Sequence, residues 1–125
     1  MQSLNAQLRV VIDLDGTICT QEKSGEYHLA KPIKKVVDDL KTLRMRGVYI
    51  IIYTARGMTT YRGNVNKVME AYDRDTRLWL RENEVPYDEL VFGKPAGDVY
   101  VDDKAVNVDD FEVTEQWPFG TGLVG

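Results

Sequence analysis

The chain has 125 residues, of which 43% are hydrophobic and 29% charged, and this balance is typical of a folded globular protein rather than a disordered one. The length suits one domain, and we expect residues 1–125 to form a single unit. The formal net charge of −4 argues against a nucleic-acid-binding module, because such modules carry a basic face.

Two further features of the sequence indicate the cellular compartment of the protein. The single cysteine, Cys19, has no partner for an internal disulfide, which fits a reducing environment. The N-terminal segment lacks a basic start followed by a long apolar stretch, and the longest apolar run, residues 48–53, is too short to span a bilayer. These features predict a cytoplasmic protein with no membrane partner.

The first predicted element is a short buried strand, residues 10–12, which ends at Asp13. Residues 16–31 are mixed in character and indicate a loop or a short hairpin. Pro32 is suited to the first turn of a helix, apolar residues follow it at helical spacing, and Gly47 is the predicted stop.

The second predicted strand, residues 48–53, is apolar on both faces, as a central strand of a parallel sheet is. A loop over residues 58–64 precedes a helix that begins between Asn64 and Asp73 and ends near Glu82. The residues of this helix expected to face the core are Leu78 and Trp79, with Val68 and Tyr72.

Two more short strands are predicted, at residues 90–92 and 99–101, and the second of them is closed by Asp102 and Asp103. Strands that alternate with helices indicate right-handed βαβ units. We therefore expect an α/β protein with a three-layer, Rossmann-like parallel sheet and helices on both faces.

Reactive side chains stand at the ends of the predicted strands. They are Asp13 and Asp15 after the first strand, Thr54 after the second, Lys94 before the fourth, and Asp102 and Asp103 after it. Ligands of open parallel sheets collect outside the carboxyl ends of the strands, so these groups are expected to meet at one edge. Four adjacent carboxylates repel one another unless a cation lies among them. Mg²⁺ accepts such oxygen ligands and would also neutralise a bound phosphate.

This arrangement favours phosphoryl transfer. A carboxylate could then approach phosphorus, while Lys94 and the Thr54 hydroxyl hold the phosphoryl oxygens. Asp15, two residues after Asp13, could exchange protons with the leaving oxygen and with water. Thr17 follows in a glycine turn whose backbone N–H groups could line an anion-binding concavity.

The element Asp13-Leu14-Asp15-Gly16-Thr17, followed in order by Thr54, Lys94 and Asp102-Asp103, resembles the four ordered motifs of the haloacid dehalogenase superfamily of phosphatases. The resemblance covers residues 10–103. It implies that Asp13 is the nucleophile and a metal ligand, and that Asp15 is the acid/base and binds the metal through its carbonyl. It also implies that Thr54 and Lys94 bind phosphoryl oxygens. Asp102 would complete the metal site and Asp103 would hold a metal-bound water, or the two would exchange roles.

Enzymes of this superfamily often carry a cap domain, for which the segment between Asp15 and Lys31 is too short, so the resemblance implies a capless member. The segments YTARG, TRLWLREN, YDELVFGKP and VYVDDKA are similar to those of small phosphatases associated with capsular polysaccharide biosynthesis. This finer resemblance implies a small phosphorylated metabolite as substrate, such as a sugar phosphate of surface polysaccharide biosynthesis. A second copy of the chain could supply the missing lid.

The candidates for substrate contacts follow Thr54 in the chain and are Arg56, Tyr61 and Arg62. The competing interpretation is that these residues belong to a solvated loop and do not contact the substrate. On this pattern alone, hydrolysis is expected to survive Arg56→Ala.

Two other functions are compatible with parts of the pattern. A polynucleotide end phosphatase would need a site open to bulky substrates, but the acidic balance argues against it. A receiver-like signalling module or a phosphate-binding protein would also use an acidic pocket. Receivers, however, carry the acidic pair on the first strand, whereas here the pair comes last.

Overall fold

The structure, a computed structural model, describes residues 7–118. Its helices and strands are, in chain order, β1 (Arg9–Asp13), α1 (Lys34–Met45), β2 (Tyr49–Thr54), α2 (Val65–Glu82) and β3 (Glu89–Phe92). Single turns of 3₁₀-helix cover Tyr27–Leu29 and Val108–Asp110. The first three predicted strands and both predicted helices are therefore confirmed.

The three strands form a parallel sheet in the order β1-β2-β3, with Ile12 beside Ile52 and Ile52 beside Leu90. These three residues are buried and share one face of the sheet. Both connections run in the same direction across the sheet, so right-handed crossovers place α1 and α2 on that face. The opposite face is more open, since the side chain of Val11 is 60% exposed. The α/β class and the parallel sheet are confirmed, but the described residues form two layers with both helices on one face, where three layers with helices on both faces were expected. Residues 7–118 contain no large cap.

The helix ends follow local chemistry. Pro32 lies just before α1 rather than in its first turn, because Ile33 is the N-cap. Gly47 has a φ of +79° and follows the C-cap Arg46, so it ends α1 as predicted. In α2, the N-cap Asn64 accepts a hydrogen bond from the backbone N–H of Lys67 at 3.1 Å, which fixes the start of the helix.

The core lies between the sheet and the two helices. Trp79 is buried, as predicted, and its indole Nε1 donates a hydrogen bond to the carbonyl of Ala30 at 2.9 Å. This bond ties α2 to the segment that leads into α1. The prediction for Leu78 is wrong, because its side chain is 40% exposed and points away from the core that Trp79 enters. No helix among residues 7–118 combines the length and apolarity that a bilayer crossing requires.

The predicted fourth strand is also wrong. Residues 99–101 form no ladder with β1, and Val99 and Val101 are 77% and 94% exposed. The chain instead runs along the surface and packs against the core again from Val108 to Trp117. Strand propensity alone does not create a strand, because the segment needs a neighbouring strand to pair with.

Asp88 connects the start of β3 to the rest of the domain. Its carboxylate accepts hydrogen bonds from Arg44 Nη1 at 2.9 Å and from the backbone N–H of Ile50 at 2.7 Å. The bond from Arg44 is the main reason why the pKa of Asp88 lies below its ordinary value. We expect Asp88→Asn to lower the free energy of unfolding at neutral pH by about 1–2 kcal/mol, measured by urea denaturation.

The same variant gives a pH test. The pKa of Asp88 is lower in the folded than in the unfolded chain, so its stabilisation is present above the ordinary pKa and is lost as the pH falls through the folded value. The gap between variant and wild type should therefore close below roughly pH 4. Asp38→Asn, which removes an exposed ion-pair partner of Lys34, is the matched control and should change the free energy of unfolding little. If the difference in stability between Asp88→Asn and wild type were equally large in acid, the stabilising role assigned to the ionised Asp88 carboxylate would be contradicted.

Candidate active site

A cavity of about 400 Å³ opens at the carboxyl ends of the three strands. Asp13 stands at the end of β1, Arg56 follows β2, and Lys94 follows β3, and all three line it. Asp15 lines the same cavity. Three separate strand ends thus bring two carboxylates and two cations together, as the strand-end argument predicts for this edge.

Asp13 is the best-placed reactive group. Its Oδ1 lies 3.3 Å from Lys94 Nζ, and its Oδ2 accepts a hydrogen bond from Thr17 Oγ1 at 3.4 Å. The Asp13 side chain is 31% exposed, so it remains open to a ligand in the cavity. Lys94 is more enclosed, and its ammonium lies 4.3 Å from the centre of the Tyr100 ring.

The turn after Asp13 is closed by its own backbone. Gly16, with a φ of +84°, donates its N–H to the carbonyl of Cys19 at 2.7 Å. The N–H groups of Thr17, Ile18 and Cys19 all donate to the carbonyl of Leu14. The predicted anion-binding concavity of backbone N–H groups is therefore wrong for these four amides, and Thr17 contributes through its hydroxyl instead.

Asp15 is paired with Arg56. The guanidinium donates from Nε at 2.9 Å to one carboxylate oxygen, and from Nη2 at 3.0 Å to the other. Arg56 is 3% exposed, although it reaches the cavity wall. The structure thus places this residue beside a catalytic candidate and leaves it little freedom to follow a substrate.

Other predicted contacts lie away from the cavity lining. Thr54 is fully buried, and its hydroxyl accepts a hydrogen bond from the backbone N–H of Arg56 at 3.1 Å, so it supports the loop after β2. Tyr61 packs against the core and near Tyr72, and Arg62 is exposed. Neither Tyr61 nor Arg62 is among the residues that line the cavity.

Asp102 and Asp103 are not brought to this edge. Both are exposed, outside the cavity lining, and Asp102 accepts a hydrogen bond from the backbone N–H of Lys104 at 2.7 Å. Within residues 7–118, no three acidic, histidine or cysteine side chains are grouped closely enough to hold a metal ion. The predicted four-carboxylate magnesium site is therefore not assembled, because the strand that would carry its second pair is absent.

The rim of the cavity contains residues that the sequence did not single out. Hydroxyl, amide and carboxylate groups dominate this set, which consists of Gln21, Glu22, Ser24, Tyr27, Thr59, Thr60 and Tyr100. They lie in loops, or in a single turn of 3₁₀-helix in the case of Tyr27, and belong to no local motif, so no spacing in the sequence signals them. The rim adds one carboxylate and no cation to the site.

Cys19 is buried beneath the cavity, as predicted for a packed residue. Burial, together with the neighbouring charge of Asp15, raises the pKa of the Cys19 thiol to about 12. The thiol therefore stays protonated at neutral pH and is a poor nucleophile. It donates a weak hydrogen bond to Asp15 Oδ1, with the sulfur at 3.5 Å.

No family model matches the chain, and no curated protein matches it. Among solved structures, a Vibrio cholerae protein known from its crystal structure is 36% identical, with a TM-score of 0.78 over 82% of this chain and 85% of its own. A chain in the structure of the Pnkp1/Rnl/Hen1 complex is 22% identical, with a TM-score of 0.53 over 79% of this chain and 32% of its own. The second likeness extends to the fold alone.

Proposed function

This chain belongs to the same family as the Vibrio cholerae protein, and we propose that it is a phosphatase of the haloacid dehalogenase type that hydrolyses phosphate monoesters through an aspartyl-phosphate intermediate. One observation carries the proposal. Asp13, at the end of the first strand, lines an open cavity, with Lys94 at 3.3 Å and with Asp15 lining the same cavity. A nucleophile, a cation for the phosphoryl oxygens and a proton-transferring group are thus adjacent.

The reaction proceeds in two displacements. An oxygen of Asp13 forms a bond to phosphorus as the bond from phosphorus to the leaving oxygen breaks, and Asp15 supplies the proton that this oxygen takes up. Water then attacks phosphorus, Asp15 recovers a proton from it, and the bond between phosphorus and Asp13 breaks. Lys94 stabilises the phosphoryl oxygens during both steps. The products are an alcohol and inorganic phosphate, and Asp13 is regenerated.

A magnesium requirement is part of the proposal. Three carboxylates and two cations line the cavity, so the site is already acidic before a dianionic phosphate enters. The guanidinium of Arg56 is engaged by Asp15, which leaves Lys94 as the cation available to the substrate among the lining residues. A divalent cation would offset the remaining repulsion, and Mg²⁺ commonly binds together with substrate phosphate.

The test is phosphate release from an aryl phosphate with and without the metal. We expect chelation by EDTA to lower the rate at least about tenfold and added Mg²⁺ to restore it, because the charge repulsion would otherwise oppose substrate binding. Added Ca²⁺, which prefers more ligands and longer bonds, is the control and should restore less. Full activity in EDTA would contradict the metal requirement without removing the role of Asp13.

The rim supports a neutral, hydroxyl-rich leaving group. Ser24, Thr59, Thr60 and Gln21 offer hydrogen bonds to sugar hydroxyls, and Glu22 disfavours a second anionic group. We therefore propose a sugar phosphate or a related hydroxyl-rich metabolite as the substrate. The resemblance of the sequence to small phosphatases associated with capsular polysaccharide biosynthesis supports surface polysaccharide biosynthesis as the source of this metabolite.

A substrate panel separates this proposal from its main alternative, a polynucleotide end phosphatase. We expect kcat/KM to be higher for hexose, heptose and polyol phosphates than for a 3′-phosphorylated oligonucleotide, because the rim offers no row of cations for a phosphate backbone. Inorganic phosphate release is measured for each compound at equal concentration. A preference for the oligonucleotide that weakens with salt would favour the alternative.

A further inference from the structure

We propose that Arg56 is a positioning residue for Asp15, whose carboxylate it holds in one orientation toward the cavity. The inference rests on the proposed function, in which Asp15 moves protons during the reaction. It replaces the expectation that Arg56 contacts the substrate and that its loss leaves hydrolysis unchanged.

The contacts between the two side chains define the orientation. Arg56 Nε lies 3.2 Å from Oδ1 and 2.9 Å from Oδ2 of Asp15, and Nη2 lies 3.0 Å from Oδ1. A planar guanidinium that meets both oxygens of a carboxylate fixes its plane as well as its place. A lysine ammonium at the same position would act as a point charge and would leave the carboxylate free to rotate.

Arg56 is itself immobilised. Its Nη1 donates a hydrogen bond to Thr76 Oγ1 at 3.1 Å, and Thr76 is 1% exposed. Its guanidinium carbon lies 4.4 Å from the centre of the Tyr27 ring, and its backbone N–H is held by Thr54. Contacts from the segment after β1 and from α2 thus converge on the side chain of Arg56, and a contact from the end of β2 holds its backbone.

The distribution of donors assigns different roles to the two oxygens of Asp15. Oδ1 accepts from Nε and Nη2 of Arg56 and from the Cys19 thiol, whereas Oδ2 accepts from Nε. Counting donors among residues 7–118, Oδ2 therefore accepts fewer hydrogen bonds than Oδ1, and the Asp15 carboxylate to which both belong lines the cavity. We assign Oδ2 as the oxygen that exchanges protons with the leaving group and with water.

Burial of the pair also argues for a role beyond stability. Buried ion pairs often contribute little net stability, because desolvation of both charges offsets their attraction. Here, however, the carboxylate of the ion pair belongs to Asp15, which forms the reactive pair at the end of β1 together with Asp13. A small displacement of a catalytic group from its productive geometry can lower the rate by about 10²-fold, which is the effect that Arg56 would prevent.

The experiment compares steady-state kinetics of purified Arg56→Lys with wild type, using an aryl phosphate and Mg²⁺. We expect kcat to fall about 10- to 100-fold while KM stays within about twofold, because the carboxylate loses its orientation and not its charge partner. Arg74→Lys, at an exposed arginine of α2, is the matched control and should retain wild-type kcat. Circular dichroism confirms that each variant is folded.

A double-mutant cycle distinguishes positioning from a general structural role. If Arg56 acts through Asp15, adding Arg56→Lys to Asp15→Asn should cost less than about a twofold further loss of kcat. Addition of guanidinium chloride at low millimolar concentration should partly restore Arg56→Ala and should not affect Arg74→Ala.

The outcomes separate the inference from the proposed function. A wild-type protein that releases no phosphate from any monoester would overturn the proposed function and, with it, the inference. An active wild type whose folded Arg56→Lys variant keeps kcat within about twofold, or loses activity independently of Asp15, overturns the inference alone. If Arg56→Lys does not fold, Thr76→Val removes one anchor of the guanidinium, and wild-type kcat in that variant overturns the inference.

Discussion

Asp13→Asn is expected to abolish phosphate release, with a fall in kcat of roughly 10⁴-fold or more, as loss of a covalent nucleophile does in other hydrolases. The amide has nearly the shape of the carboxylate and still accepts a hydrogen bond from Thr17, which lies 3.4 Å away in the wild type. It cannot attack phosphorus, however, because its nitrogen and oxygen carry no negative charge. The loss should therefore appear in the chemical step while the fold is retained.

Two measurements check this prediction. Steady-state phosphate release gives the loss of kcat, and Asp98→Asn, at an exposed carboxylate outside the cavity lining, is the matched control that should retain activity. Acid quenching during turnover should trap a hydroxylamine-labile phosphate on the wild-type peptide that contains Asp13, and none on the variant. Undiminished hydrolysis by Asp13→Asn would contradict its role as nucleophile.

The sequence predicted the first three strands and both helices because each has a strong local signal. β2 is apolar along its length between Gly47 and a polar loop, and α2 begins at a capping Asn64 and buries Trp79 on its inner side. Such features depend on neighbours along the chain. The same reasoning failed for residues 99–101, because a β-branched segment becomes a strand only where another strand pairs with it.

The residues of the candidate site likewise divide into those that the sequence predicts and those whose role depends on the fold. Asp13, Asp15 and Lys94 were predictable, since parallel strands end at one edge of the sheet. The role of Arg56 was not, because its partner is 41 residues away and its direction depends on packing against Tyr27 and Thr76. A buried arginine and an exposed one look alike in a sequence, and only the fold determines whether the guanidinium meets a substrate or another side chain.

Lys94→Met is expected to lower kcat/KM about 10²- to 10³-fold, the usual cost of removing one group that stabilises developing charge on an oxyanion. Methionine keeps much of the length and apolar surface of the lysine stem, so the contact with Tyr100 is largely preserved while the ammonium is lost. Asp13 then loses the cation that lies 3.3 Å away, and the dianionic substrate meets an uncompensated carboxylate.

Two comparisons isolate the charge of Lys94 from its packing. Lys94→Arg keeps the positive charge and should recover part of kcat/KM, although the larger guanidinium cannot occupy the same position between Asp13 and Tyr100. Lys67→Met, at an exposed lysine of α2 outside the cavity lining, removes a charge of equal sign and should leave kcat/KM unchanged. Equal losses of kcat/KM in Lys94→Met and Lys67→Met would mean that the net charge of the protein affects the reaction and the position of the lysine does not. A folded Lys94→Met variant with wild-type kcat/KM would show that the phosphoryl group is bound elsewhere.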